Sequence, residues 1–265
     1  MTDTAPKPPE LPRRFYETAS TAEADGHWRV LLDGRLVRTP GRAVLAATTR
    51  ELADAIAQEW AMQGERIDPS SMPLTRLLNT AIDGVAPRLA ETQGDLARYI
   101  ETDLLFYRAD SPERLVARQA EGWDPIIDWA GKRVGGPFHI TSGIIHVAQP
   151  SETVRAFNVM ARAIADPLTV AALHQMTTLT GSVILAFAVL EGRLDASTAF
   201  ELAHIDEDWN IELWGDDEEA AQRRALRRAD MVAAGRAIGL GAIGNQIPAN
   251  PVSYTHLRAH ETGRN

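Results

Sequence analysis

The sequence predicts an α+β fold: a small N-terminal α/β domain with a β-hairpin, followed by a C-terminal all-helical bundle domain. Three observations carry this. The stretch 27–37, HWRVLLDGRLV, places two short apolar runs around Asp33-Gly34, a strong two-residue hairpin signal. From Thr49 onward apolar residues recur at helical rather than strand spacing. Residues 151–240 read as helices with short connections, the pattern of a bundle.

Residues 1–12 hold Pro6, Pro8, Pro9 and Pro12 and no apolar run. They read as a disordered lead, neither a signal peptide nor an Arg-rich transit peptide. The α/β domain is expected over 13–88. Phe15-Tyr16 are expected to pair with the hairpin, Pro40-Gly41 to turn the chain, and Val44-Leu45 to add a strand. Thr49 is the expected N-cap of a helix whose Leu52, Ile56 and Trp60 fall at i, i+4 and i+8, with Gly64 as its end. A polar, Pro-containing loop over 67–72 leads into a short helix over 73–82, ended by Gly84.

The helical domain is expected over 89–240. Residues 88–107 read as one long helix with Leu89, Leu96, Ile100 and Leu104 inward. Residues 113–134 read as another, restarted at Asp124-Pro125 and broken by Gly135-Gly136-Pro137. Residues 141–147 fit either a short strand or an extended loop. Ser151 is expected to cap a helix with Val154, Phe157, Ala161 and Ile164 on one face, and Asp166-Pro167 to start the next. Residues 167–190 carry no Asp, Glu, Lys or Arg over 24 positions, long enough to span a bilayer. His174, Gln175, four threonines and Gly181-Ser182 interrupt that run, so two buried helices broken near Thr180 are expected instead. Helices over 195–214 and 216–238 follow. Residues 241–265 lack periodicity and read as a disordered or non-native tail; SYTHLRAHET, over 253–262, resembles translated adaptor sequence.

Composition narrows the function. The 265 residues include 36 acidic and 27 basic ones, a formal charge of −9, which argues against a nucleic-acid binder or docking on an anionic membrane. With no cysteine, disulfides, thiolate metal sites and thiol catalysis are excluded. No G-x-S-x-G, Walker loop or H-E-x-x-H occurs, and Gly239-Leu240-Gly241 with Gly244 does not lie between a strand and a helix. The seven histidines do not cluster, so no metal and no cofactor is expected.

The stretch 195–214 is the most informative. On one continuous helix, Leu202, Ile205, Trp209 and Leu213 share a face, opposite Phe200, His204, Glu207, Ile211 and Trp214. Glu201, Asp208 and Glu212 form an acidic stripe between them. Glu207 is anomalous, a carboxylate in an apolar row. It is either a buried acid paired with His204 or an Arg, or a functional carboxylate. Residues 206–219 hold eight acids and no base. Dipole bias explains those at 216–219; those at 206–212 fall near a helix C-terminus, an unfavourable place that points to a cationic partner. Trp60 is either a core anchor or an interface anchor.

Glu59-Trp60, together with Met72-Pro73-Leu74-Thr75-Arg76-Leu77 running into Asn79-Thr80-Ala81-Ile82-Asp83, resembles the first signature of the ATP12 family. Glu101-Thr102-Asp103-Leu104-Leu105-Phe106-Tyr107-Arg108 resembles the second, and Asp206-Glu207-Asp208-Trp209 leading to Trp214-Gly215, with Glu218 beyond, the third. One departure is Asn210, where many relatives have Gln. The resemblance runs from about Arg13 to Leu240 and implies a non-catalytic assembly chaperone. Such a protein binds the unassembled α subunit of the F1 part of ATP synthase and shields its β-facing surface. It also implies a partner-binding site at Glu207, Asp208, Glu212, Trp214, Gly215 and Trp60, with Glu207 matching the family's important acid. A bacterial-type chain is expected in the cytoplasm, monomeric when free; mitochondrial relatives work in the matrix. The competing expectation is a hydrolase or transferase with Glu207 and His204 as an acid/base pair, which requires a deep polar pocket around them.

Overall fold

The computed structural model describes residues 10–143 and 145–241. The expectations for residues 1–9 and 242–265 lie outside the described residues. The last residues of the expected lead are tied down: Ile67 N donates to Pro12 O at 2.8 Å and Arg66 to Leu11 O at 2.6 Å.

Four short strands form the first sheet: β1 (Ala19–Ala24), β2 (His27–Leu32), β3 (Arg35–Leu36) and β4 (Ala46–Ala47). β2 is central, with β1 on one edge and β3 and β4 along the other, all antiparallel. The hairpin at Asp33-Gly34 forms as expected, both residues at positive φ (46° and 74°). A second Asp-Gly turn was not anticipated. Asp25-Gly26, at φ 54° and 74°, joins β1 to β2 with Ala24 opposite His27. Both turns have the mirror-image twist that suits a right-handed strand pair. The added strand is therefore Ala19–Ala24, not Phe15-Tyr16; Phe15 is exposed while Tyr16 is buried. Val44 makes only an isolated bridge to Arg38, and the strand lies two residues later.

Helix α1 (Arg50–Ala61) is capped by Thr49, whose side chain accepts from Leu52 N, and it buries Leu52 and Ile56. Helix α2 (Pro73–Thr80) does not stop at Gly84. It opens into a wider turn over Ala81–Val85 and continues through Ala86–Arg88 into α3 (Leu89–Tyr99). The predicted helix over 88–107 is cut at Tyr99. Beyond it a tight turn, Leu104–Phe106, and β5 (Tyr107–Arg108) follow, because Asp103 is drawn inward to another helix.

Helix α4 (Glu113–Val134) runs through Pro125 without restarting. Proline removes one ladder bond, but burial of Trp123, Ile126 and Ile127 on both sides holds the helix together. Asp124 is not a cap; it pairs with Arg108 at 2.7 Å. Between α4 and α5, β6 (Thr141–Ser142) pairs in parallel with β5, so only part of 141–147 is strand. Helix α5 (Ser151–Arg162) has no side-chain cap; Val154 N donates to the Pro150 carbonyl.

The uncharged run folds as the expected pair, α6 (Pro167–Thr180) and α7 (Val183–Leu190), broken at Gly181. Six consecutive residues of α7, from Val183 to Ala188, are buried, which explains the missing charges. Among the described residues no helix is long and apolar enough to cross a membrane. The described residues end in α8 (Ala196–Ala203), α9 (Ile205–Trp214) and α10 (Glu218–Gly241). α10 packs against α6, α8, α2 and α1. Buried residues of the sheet, α1 and α2 are continuous with those of α6, α7 and α10 in one core.

Candidate functional site

The first two signatures hold the fold together. Glu59, at the end of α1, takes Leu74 N, Thr75 N and the Thr75 hydroxyl at 2.7–2.8 Å. It caps α2 from outside, where Met72 offers no side-chain cap. Asp83 reaches back to Thr39 Oγ1 and Gly41 N, both at 2.7 Å, and Arg76 pairs with Asp230 of α10 at 2.5 Å. Asp103 is wholly buried and accepts from Leu105 N and Ile184 N at 3.1 and 3.0 Å, capping α7. Desolvation pushes its pKa up to about 6 although these bonds pull the other way. Replacing Glu59 with Ala leaves three donors at the start of α2 uncapped. We expect a loss of about 1–2 kcal/mol, read as a lower midpoint in urea unfolding.

The third signature begins with a break. The single helix predicted over 195–214 is two, because His204 adopts φ −111° and ψ 21° between α8 and α9. This reverses the electrostatic expectation: Asp206, Glu207 and Asp208 lie in the first turn of α9, where the helix dipole favours acids. The break also cancels the shared faces computed across it. α9 is not sandwiched; only Ile205 is buried, and Leu213 and Trp214 are exposed.

His204 is buried and stacked on Phe200. Its Nδ1 lies 2.6 Å from Phe200 O, so it must carry the proton, and Nε2 then accepts from Arg227 at 3.0 Å. Burial, with Arg227 adding to it, lowers the His204 pKa and keeps the ring neutral.

Most acids of the stripe are paired at home. Asp208 pairs with Arg224 and Glu201 with Arg228 (2.9 Å), both from α10. Glu212 takes Arg118 of α4 at 2.6 Å, and Asp206 accepts from Gln119. Glu207 is the exception. Its charge partner is the neutral His204, 3.8 Å away, and no Lys or Arg among the described residues lies within ion-pair distance. Its side chain is 39% exposed. Ile211 and Trp214 follow it at i+4 and i+7 on the same face of α9. Trp214 is 83% exposed, and Gly215, at φ 84°, ends the helix there.

Trp60 belongs elsewhere. It packs edge-on against Tyr16 with centroids 5.8 Å apart, and Tyr16 Oη donates to its carbonyl at 2.6 Å. It is partly buried and packs against the core. Among the described residues, two shallow surface grooves stand out. One, of about 420 Å³, lies between α10 and the α1–α2 corner; the other, of about 390 Å³, lies between α4 and the α8–α9 break. Neither is lined by His204 or Glu207. Among the described residues no cluster of His, Asp and Glu is placed to hold a metal.

A family model described as ATP12 chaperone protein matches residues 13–131. The crystal structure of Atp12 from Paracoccus denitrificans superposes with a TM-score of 0.80 at 46% identity, over 87% of this chain and 99% of that one. The chain belongs to the ATP12 chaperone family. A candidate chaperone from Agrobacterium tumefaciens, also 46% identical, superposes with a TM-score of 0.82 over 87% of this chain and 86% of its own. The mitochondrial protein atp12 of Schizosaccharomyces pombe is 26% identical over 230 residues, covering 82% of this chain and 78% of that protein. The predicted α+β class agrees with these ATP12 structures.

Proposed function

We propose that this chain is an assembly chaperone for the F1 part of ATP synthase. It binds the unassembled α subunit and shields the surface that later meets β, without catalysis, in the bacterial cytoplasm. Membership of the ATP12 family supports the chaperone role. The observation that carries the binding reading is Glu207: an acid without a cation, on the same helix face as an exposed tryptophan, while Glu201, Asp206, Asp208 and Glu212 around it are paired internally. A charge held unpaired beside exposed apolar surface suits a basic, apolar patch on a partner. His204 is a poor acid or base for Glu207, since both ring nitrogens are already engaged.

Co-expression with the α subunit alone tests the reading. We expect α to become soluble and to co-elute with this chain; insoluble α with no association overturns it. Within that assay Trp214→Ala should weaken association by roughly 30-fold, as losing a tryptophan hot spot does. Its exposure means the melting temperature should not move.

A further inference from the structure

The groove between α10 and the α1–α2 corner is absorbed by nothing above. Its apolar lining includes Leu74, Ala229 and Val232, with Pro73. Val232 is 40% exposed in the middle of α10, although Met231, Ala233 and Ala234 beside it are buried. Two guanidinium groups rim the groove. Arg228 is paired with Glu201, while Arg236 has no hydrogen bond or ion pair among the described residues. The lining acid, Glu59, accepts three bonds from the start of α2 and makes no ion pair with Arg236. Arg236 is thus a cation without an acid in a chain of net charge −9, the reverse of Glu207. The two lie on elements braced by one helix, since Arg224 and Arg227 of α10 hold the Asp208 and His204 positions.

We propose that this groove is a second docking surface for the same client. It takes an amphipathic segment of the α subunit whose apolar side chains seat on Leu74, Ala229 and Val232 and whose carboxylate meets Arg236. This rests on the proposed function. A concave apolar lining with a cation beside it selects an acidic, apolar segment, because a basic one meets Arg228 and Arg236. The client is then held by charges of opposite sign, Glu207 on α9 and Arg236 on α10, which fixes its orientation.

The absence of cysteine makes the test clean. Val232→Cys in the full chain, labelled with a thiol-reactive benzophenone, is irradiated in the complex with the α subunit. The crosslink is expected on a segment of α that contains Asp or Glu. The same label at exposed Ile145, as Ile145→Cys, should give none. Arg236→Glu should lower co-eluting α about tenfold, the loss of one charge-assisted bond, with unchanged melting temperature. A crosslink confined to a second copy or to this chain's own residues 242–265 overturns the proposal, as does Arg236→Glu retaining full α. If the wild-type chain does not hold α, the function itself fails. If it does and both groove readouts are silent, only the groove fails.

Discussion

Glu207→Lys is expected to abolish recovery of the α subunit, a loss of at least roughly 30-fold, since breaking a buried interfacial charge pair costs about 2–5 kcal/mol. The fold should survive. Glu207 is partly exposed and has no strong internal bond to lose, so the change in unfolding free energy should stay within about 0.5 kcal/mol. Circular dichroism and urea unfolding beside the co-elution assay separate the two effects. The neighbouring acid supplies the contrast. Asp208→Asn unpairs Arg224 and loosens the α9–α10 junction, so its effect should appear in stability first. If Glu207→Lys unfolds the protein, the carboxylate is structural and the proposed contact is wrong.

Asp103→Ala is expected to have the largest effect on stability. It strips the acceptor from two buried amides, Leu105 N and Ile184 N, from two different elements. At about 1–3 kcal/mol for each orphaned donor, a loss of roughly 3–5 kcal/mol follows, a large part of a normal stability of about 5–15 kcal/mol. The residue also carries a pH signature. Its folded pKa, about 6, lies above the ordinary 3.8, so between those values the folded protein holds a proton that the unfolded chain releases. Its contribution is therefore present in acid and is lost as pH rises through that window. Urea unfolding at pH 4 and pH 7 checks this. The advantage of wild type over Asp103→Asn should be greater at pH 4, because Asn lacks the titration.

The elements that were legible are those whose signals are local. Asp33-Gly34, the Thr49 cap and the break at Gly181 each involve residues within a few positions of one another. β1 was missed because ASTAEA has no apolar alternation; Asp25-Gly26, the same turn signal as the one recognised, was the available clue. The false long helices failed for a different reason. Asp103 is pulled out of helical phase by Ile184, 81 residues away, and no periodicity encodes such a partner. The break at His204 likewise depends on Arg227 and on α9 turning to meet α4 and α10. For the candidate site, the identity of Glu207 was readable but its isolation was not. Asp208 and Glu212 look the same in sequence, and only the positions of Arg224 and Arg118 set Glu207 apart.

The closure of α10 over the first helices bears on the chain's own synthesis. Arg76 meets Asp230, 154 residues later, and Thr49 Oγ1 donates to Leu240 O, 191 residues on. At about 5–20 residues per second, roughly 8–30 s of translation separates Arg76 from its partner. Until then Leu74 and its neighbours wait on the ribosome without the helix that covers them. A protein whose proposed work is to cover another's unfinished surface passes through an unfinished stage of its own, until α10 has emerged.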